Sequence, residues 1–246
     1  MTRLAGHHAV ITGGGTGIGA AIARALGAEG AKLTLVGRRR DRLEEVASGD
    51  FDALVAPADI TVRDEVDRAF ALAREAQDPI TILVNNAGAA AGIPFAKVTQ
   101  DVWRDMLAVN LDGMFHCCQA ALPDLLAARA GRIVTIASMA GLHGFAYASP
   151  YIAAKHGAVG LTRALAAEYA QTNLRVNAVC PGFVDTEMTI ESVSNIVAKT
   201  GRSEDDARAE LARLNPSGRL ISPEEVAAAV LDLVLSDRNG EALEIA

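Results

Sequence analysis

The chain has 246 residues, half of them apolar, a length that can fill one large α/β core and is short for two domains, so we expect a single domain over residues 1–246. A formal net charge of −7, without a basic stretch interleaved with aromatic side chains, argues against nucleic acid as a partner. No apolar run reaches about 18 residues and the N-terminus has no apolar signal segment, so we expect no membrane span and a cytoplasmic location.

Strand-like and helix-like segments alternate along the chain. Six apolar runs predict strands, at residues 9–12, 32–36, 53–56, 80–84, 132–137 and 175–179, and helical periodicity follows each of them. Residues 242–245 predict a seventh strand at an edge. This alternation predicts an α/β fold with a doubly wound, mostly parallel seven-stranded sheet and helices on both faces, of Rossmann-like type.

The first predicted strand runs into a glycine-rich turn. Residues 12–19 read Thr-Gly-Gly-Gly-Thr-Gly-Ile-Gly and lead into an alanine-rich helical pattern. Glycines let the backbone approach a pyrophosphate, and the free amides and positive dipole end of a helix favour the anion. The turn therefore predicts a nucleotide cofactor, although its spacing differs from the common G-x-G-x-x-G fingerprint.

The end of the second predicted strand reads Gly37-Arg38-Arg39, where a dinucleotide fold places the adenosine ribose. An acidic residue there would bind the ribose hydroxyls and repel a 2′-phosphate, whereas Gly37 removes that repulsion and Arg38 offers a planar charged fork. We expect a preference for NADP(H), with NAD(H) possible. Arg39 and Arg40 either add to this positive field or are solvated charges that open the next helix.

The fifth predicted strand leads to Ser138, and Tyr151 and Lys155 follow four residues apart. Four residues are just over one helical turn, so the phenol and the ammonium share a helix face. A free tyrosine has a pKa of about 10, and a nearby ammonium is expected to lower it toward the range in which the phenol transfers protons. The trio predicts carbonyl chemistry; the alternative for the pair is a solvated lysine beside a half-buried ring.

Three cysteines, Cys117, Cys118 and Cys180, have no metal-ligand spacing. We expect them to be reduced packing residues, and we expect no metal site.

Six ordered motifs resemble those of the classical short-chain dehydrogenase/reductase family, and the resemblance covers nearly the whole chain. The matching segments are the glycine-rich turn at 12–19, the Asn-Asn-Ala-Gly element at 85–88, Asn110, Ser138, the pair Tyr151 and Lys155, and the Pro-Gly segment at 181–186.

The resemblance implies hydride transfer between a nicotinamide and a ketone or secondary alcohol, without a metal. It implies that Tyr151 is the acid in reduction and the base in oxidation, while Ser138 orients the carbonyl and stabilises developing oxyanion charge. Lys155 would lower the pKa of the tyrosine and bind the nicotinamide ribose. Asn110 would hold a water that passes protons to Lys155, or is a polar residue at a helix kink.

The cofactor contacts implied by the resemblance lie at the ends of several predicted strands. They are Thr12, Gly13, Thr16, Gly17, Ile18, Gly19, Arg38, Arg39, Asp59, Ile60, Asn86, Ala87, Gly88, Tyr151, Lys155, Pro181, Gly182, Val184 and Thr186. Asp59 would bind the adenine edge, unless Asp59 or Thr61 caps the following helix.

Two segments, 139–147 and 187–215, are expected to form the substrate rim. The second is either a helical lid over an acyl chain or an insertion packed onto the body. His143 is expected to be an exposed loop residue rather than a second catalytic base. The expected substrate contacts are Ser138, Met139, His143, Phe145, Tyr151 and Met188.

The pattern most resembles reductases of 3-oxoacyl thioesters on acyl-carrier protein or coenzyme A. A general secondary-alcohol dehydrogenase or ketone reductase for a small apolar or aryl substrate fits the same catalytic residues. A non-catalytic dinucleotide sensor is a third interpretation, but such proteins typically lack the tyrosine or the lysine that this chain has. The resemblance also implies a homotetramer, since family members commonly form one.

Overall fold

Seven strands form one sheet in which each strand runs parallel to its neighbours. This computed structural model describes residues 2–246. The strands are β1 (His8–Thr12), β2 (Lys32–Gly37), β3 (Ala53–Pro57), β4 (Ile82–Asn85), β5 (Arg132–Ile136), β6 (Arg175–Pro181) and β7 (Ala242–Ile245). All seven predicted strands are confirmed, and the sheet is parallel throughout rather than mostly parallel. β4 begins two residues later than predicted, and the Ile80 amide donates to the Asp124 carboxylate instead of to a neighbouring strand.

The described part of the chain contains nine α-helices. They are α1 (Gly17–Ala28), α2 (Arg40–Ala47), α3 (Arg63–Gln77), α4 (Gln100–Leu107), α5 (Gly113–Ala127), α6 (Ser149–Glu168), α7 (Glu187–Thr200), α8 (Glu204–Arg213) and α9 (Pro223–Leu235). One core lies between the sheet and α1 and α9, and a second lies between the opposite face and α3, α5 and α6.

Alternation of side chains along the strands supplies both cores. Ile11 of β1 and Val84 of β4 face the first core, whereas Val10 and Leu83 face the second. Both faces are apolar because helices cover both, which explains why the strands read as continuous hydrophobic runs. The doubly wound, Rossmann-like fold is confirmed.

The strand order is β3-β2-β1-β4-β5-β6-β7, so the chain changes direction across the sheet between β1 and β4. In open α/β sheets, ligands bind at such a switch point, outside the carboxyl ends of the strands. The segments that follow β1 and β4 carry the glycine-rich turn and the Asn-Asn-Ala-Gly element. The fold thus brings two of the predicted motifs to one crevice.

A five-residue π-helical turn, Ala108–Asp112, joins α4 to α5. Such turns are often found at functional sites. Near the other end of the chain, α7 and α8 share a small apolar cluster of their own, built from Val193, Ala207 and Leu211. None of the helices within residues 2–246 has the length and apolar character needed to cross a bilayer.

Candidate active site

Thr12 at the end of β1 holds the segment that follows β4. Its Oγ1 accepts hydrogen bonds from the amides of Asn86 and Ala87, at 3.0 and 3.1 Å. In return, the Asn86 Nδ2 donates to the main-chain oxygens of Thr12 and Gly13, both at 3.0 Å. These bonds fix the two sides of the crevice relative to each other.

The glycine-rich turn has no room for side chains at two of its positions. Gly13 has φ +65°, and a Cβ there would lie 2.8 Å from the Asn86 Nδ2. A Cβ on Gly19 would lie 2.1 Å from the main-chain oxygen of Gly13. Thr16 stands at the N-cap position of α1, and Ile18 packs against the first core. The turn therefore offers a pyrophosphate a backbone cradle at a helix N-terminus.

The Pro-Gly segment reaches the same cradle from the other side. Pro181 ends β6, and Val184 is buried and forms a single bridge with Ile221. Thr186 lies against the turn, since a Cβ on Gly17 would be 3.1 Å from its Cγ2. The residues present fit a dinucleotide in this groove, and their contacts to it stay predictions.

Asn215 holds the Pro-Gly segment in place, a role that the sequence did not predict. Its Oδ1 accepts from the Phe183 amide at 2.8 Å, and its Nδ2 donates to the oxygens of Phe183 and Arg219, at 3.0 and 2.6 Å. Its side chain is buried and packs close to Gly182, which leaves no space there for a Cβ. The only sequence signal was an asparagine before a proline after a helical stretch.

Ser138, Tyr151 and Lys155 meet where β5 ends and α6 begins. The Ser138 Oγ accepts from the Ala140 amide at 3.1 Å and so fixes the short 3₁₀ turn that follows β5. Lys155 is buried, and its Nζ donates to the main-chain oxygen of Ile136 at 2.9 Å. The same Nζ lies 5.7 Å from the centre of the Tyr151 ring. The structure therefore brings the predicted catalytic trio together; their roles stay predictions.

The predicted pKa of Tyr151 is wrong in direction. Burial of the phenolic group raises the pKa above its usual value, and the Ser138 hydroxyl offsets this only in part. Helical spacing alone suggested that Lys155 would lower it, but the ammonium is bonded to the oxygen of Ile136. Burial also lowers the pKa of Lys155, to about 8.

Asn110 stands in the π-helical turn and binds the segment after β4. Its Nδ2 donates to the oxygens of Ala89 and Met106, at 2.9 and 3.0 Å, and its Oδ1 accepts from the Ala89 amide at 3.3 Å. A Cβ on Gly88 would lie 2.9 Å from this Oδ1 and 3.6 Å from the Lys155 Nζ. Asn110 is thus at an irregular helix turn and beside Lys155 at the same time, so both predicted interpretations remain open.

A cavity of about 10 Å³ lies next to Lys155 and is also bordered by Asn85 and Asn110. This is close to the smallest volume that holds a water molecule. The Asn85 Oδ1 is buried and has no hydrogen-bond partner among the described residues. Asn85 belongs to the recognised Asn-Asn-Ala-Gly element but was not predicted as a site residue.

Arg38 and Asp59 lie together at the predicted adenosine end. Burial raises the pKa of Asp59, but the hydrogen bonds from Thr61 and the charge of Arg38 outweigh it and hold the pKa below its usual value. The alternative of a helix cap is wrong, because α3 begins at Arg63 with Val62 at the N-cap position. Asp59 instead accepts from the amide and the hydroxyl of Thr61, at 2.9 and 2.8 Å.

Neighbouring residues at this end have other partners. Ile60 is buried and borders the small cavity. Arg39 is exposed and pairs with Glu187, the first residue of α7, at 3.4 Å. Arg38 is exposed too, and within residues 2–246 it has no ion-pair partner. Of the three arginines 38–40, it alone is free to meet an added anion.

The predicted substrate residues are only partly collected around the trio. Met139 is buried and its sulfur would lie 3.0 Å from a Cβ on Gly182, while Phe145 is half-buried. Met188 is 41% exposed at the start of α7. His143 is exposed, as expected, with its Nε2 3.6 Å from the Glu244 carboxylate of β7.

Tyr147 ends the first predicted rim segment, 139–147, but was not among the predicted substrate contacts. It has φ +66°, a strained conformation for a residue other than glycine, and its side chain is 67% exposed. Its main-chain oxygen accepts from the Ile93 amide at 2.6 Å, which joins the loop before α6 to the loop after β4.

The three cysteines are buried and free. Burial raises the pKa of the Cys118 thiol to about 12 and that of Cys117 further. Their assignment as packing residues is confirmed. Among residues 2–246, His, Cys, Asp and Glu side chains form no group of three that could hold a metal ion.

The fold and the arrangement of this site are those expected of a dinucleotide-dependent oxidoreductase, and comparison with known proteins gives its family. The family model described as short chain dehydrogenase matches residues 7–196. The chain belongs to the short-chain dehydrogenase/reductase family and is an oxidoreductase that acts on carbonyl or alcohol groups with a nicotinamide cofactor.

The sequences and structures of individual relatives align with most of this chain. A Streptomyces violaceoruber protein provisionally assigned as ketoacyl reductase 1 of the granaticin polyketide synthase is 38% identical over 93% of this chain and 86% of its own. The galactitol 2-dehydrogenase (L-tagatose-forming) of Cereibacter sphaeroides is 40% identical over 94% of this chain and 89% of its own. The crystal structure of an actinorhodin polyketide ketoreductase variant with NADPH has a TM-score of 0.92 at 34% identity and covers 97% of this chain and 95% of its own.

Proposed function

We propose that the protein reduces a ketone to a secondary alcohol with NADP(H) as preferred cofactor, and that the ketone is a 3-oxoacyl thioester. The convergence of Ser138, Tyr151 and Lys155, with Lys155 beside Gly88 of the Asn-Asn-Ala-Gly element, is the observation that carries the reaction class. The thioester and the cofactor preference are the finer parts of the proposal.

In this proposal, Tyr151 donates the proton that the substrate oxygen gains on reduction, and Ser138 holds that oxygen. A nicotinamide dinucleotide would supply the hydride. Burial raises the pKa of Tyr151, so the phenol is protonated at neutral pH, which is the state that reduction requires. Oxidation of the alcohol requires the phenolate and is therefore favoured at alkaline pH. Lys155 holds a positive charge below its pKa of about 8 and would bind the nicotinamide ribose.

Preference for NADP(H) is supported by Arg38. The guanidinium is exposed and unpaired within residues 2–246, and it stands beside Asp59 at the adenosine end. A charged planar fork of this kind suits a 2′-phosphate. The actinorhodin ketoreductase structure contains NADPH and is 34% identical in sequence.

The thioester proposal draws on the relatives named as ketoacyl reductases and on the apolar side chains of α7. Met188 and Ile190 are 41% and 50% exposed at the start of this helix and could cover an acyl chain, as the predicted lid would. Two cations of the segment 187–215 that a coenzyme A phosphate would need are already engaged in ion pairs, Arg202 with Glu210 and Arg208 with Asp185. Lys199 donates to the oxygen of Gly92.

A general secondary-alcohol dehydrogenase is the second candidate, because a galactitol 2-dehydrogenase is 40% identical. Initial rates of NADPH oxidation with acetoacetyl-CoA separate the two, run beside NADH and beside a plain ketone of similar size. Fast turnover of the thioester alone supports the 3-oxoacyl assignment. Turnover of the plain ketone alone moves the assignment to the second candidate. The homotetramer, the lid and the cytoplasmic location stay predictions.

A further inference from the structure

Glu187, the first residue of α7, pairs with two of the four arginines that follow β2, Arg39 and Arg42; Arg42 also pairs with Glu45 of its own helix, at 3.2 Å. Glu187 Oε2 lies 3.4 Å from Arg39 Nη2, and Glu187 Oε1 lies 3.8 Å from Arg42 Nη2. All three side chains are exposed, with 50% of Glu187, 57% of Arg39 and 42% of Arg42 accessible. The Glu187 carboxylate, which follows the Pro-Gly segment, thus forms ion pairs with two arginines on the adenosine side of the groove.

Glu187 itself is half exposed, but the residues on either side of its ion pairs pack closely against the glycine-rich turn. Its neighbour Thr186 packs against Gly17, since a Cβ placed on Gly17 would lie 3.1 Å from the Thr186 Cγ2. Arg42 lies on Gly15, whose Cβ would be 3.1 Å from the Arg42 Cβ. Glu187 therefore stands where the glycine cradle meets the arginines, and an anion bound by those arginines would meet its negative charge.

We propose that Glu187 competes with the cofactor's 2′-phosphate for Arg39 and Arg42 and thereby limits the preference for NADP(H). The inference rests on the proposed cofactor preference. A carboxylate and a phosphate use the same guanidinium donors, so one must leave when the other binds, and two anions at one site repel each other. Since ion pairs between exposed side chains are weak, the expected effect is about two- to fivefold in affinity.

A purely structural role for Glu187 makes a different prediction. An acidic residue in the first turn of a helix stabilises that helix through its dipole. Loss of that effect would lower the melting temperature and would not distinguish a ligand with a 2′-phosphate from one without it.

The test measures binding of adenosine 2′,5′-bisphosphate and of 5′-AMP by calorimetry, and of NADPH and NADH by fluorescence. The variants are Glu187→Gln and, as a matched control, Glu191→Gln, an exposed glutamate one turn further along α7. Glu187→Gln is expected to tighten binding of the bisphosphate and of NADPH about two- to fivefold, with 5′-AMP and NADH unchanged. Glu191→Gln is expected to change none of them.

Two failures are distinguishable. If the wild-type protein binds NADH as tightly as NADPH, the proposed cofactor preference is wrong and the inference falls with it. If the wild type prefers NADPH but Glu187→Gln leaves the ratio of the two affinities unchanged, only the inference is overturned. Raising the salt concentration should shrink the difference between Glu187→Gln and wild type, because exposed charges are screened.

Discussion

Lys155 donates a hydrogen bond from its Nζ to the main-chain oxygen of Ile136, the last residue of β5, at 2.9 Å. The bond ties α6, which carries Tyr151, to the strand that leads to Ser138. The bond therefore helps to fix the position of Tyr151 relative to Ser138. Lys155, which the sequence predicted as an electrostatic partner of Tyr151, thus also holds α6 in position against β5.

The pH dependence of ketone reduction should follow Lys155. Its pKa is lowered to about 8 by burial, while burial keeps Tyr151 protonated in this range. Above the pKa of Lys155 the ammonium is lost, and with it the charge that would hold the ribose. We expect kcat/KM for reduction to be level between about pH 6 and 7.5 and to fall above about pH 8. A rate that climbs steadily from pH 8 to 10 would contradict this assignment.

Arg38→Asp should reverse the cofactor preference. The change removes a charge-assisted donor and adds a negative charge beside the 2′-phosphate, so we expect kcat/KM with NADPH to fall about ten- to hundredfold. The rate with NADH should hold or rise. Arg40→Asp is the control, since Arg40 pairs with Glu44 on the exposed face of α2. The assignment of Arg38 is wrong if the NADPH-to-NADH ratio hardly moves.

Asn215→Ala should loosen the Pro-Gly segment. The substitution removes three hydrogen bonds and leaves the main-chain groups of Phe183 without their partner. We expect a loss of about 1–3 kcal/mol in the free energy of unfolding and weaker cofactor binding. Asn195→Ala, at an exposed position of α7, should stay within about 0.5 kcal/mol of wild type. Equal denaturation midpoints for Asn215→Ala and wild type would show that the contact is dispensable.

His8 should make the fold sensitive to acid. The side chain is buried, with its ring nitrogens 2.8 Å from the Asp78 oxygen and 2.9 Å from the Thr34 Oγ1, and burial lowers its pKa. Below about pH 6.5, the ordinary pKa of histidine, His8 binds a proton more readily in the unfolded chain than in the folded chain. Stability should therefore decrease as the pH falls from 7 to 5.

The comparison is between wild type and His8→Asn, by chemical denaturation across that range. The variant should show a shallower pH dependence, with a remaining slope from His7, whose pKa burial also lowers. Parallel curves for the two proteins would remove His8 as the cause.

The sheet could be predicted from the sequence because helices cover both of its faces. The strands then become uninterrupted apolar runs, and Gly13 and Gly19 stand where the backbone leaves no space for a Cβ. The catalytic trio could be predicted because helical spacing and the end of β5 are local features.

The features that the sequence did not predict depend on contacts between segments that are distant along the chain. Asn215 reaches Phe183, and Glu187 reaches Arg39, through the tertiary fold, and no local spacing announces either contact. Tyr151 has a raised rather than a lowered pKa because burial is set by several elements at once. Asp59 was open to interpretation as a helix cap because the start of α3 at Arg63 is not marked by a capping side chain.

The central claim is that Tyr151 is the proton donor of a nicotinamide-dependent carbonyl reductase. The most direct measurement compares kcat and the dissociation constant for NADPH in Tyr151→Phe and wild type, with Tyr147→Phe, at an exposed tyrosine of the same rim, as control. We predict that kcat falls about 10²- to 10⁴-fold in Tyr151→Phe, with NADPH affinity nearly unchanged. If Tyr151→Phe retains more than about a tenth of wild-type kcat, a role for Tyr151 in general acid catalysis is contradicted.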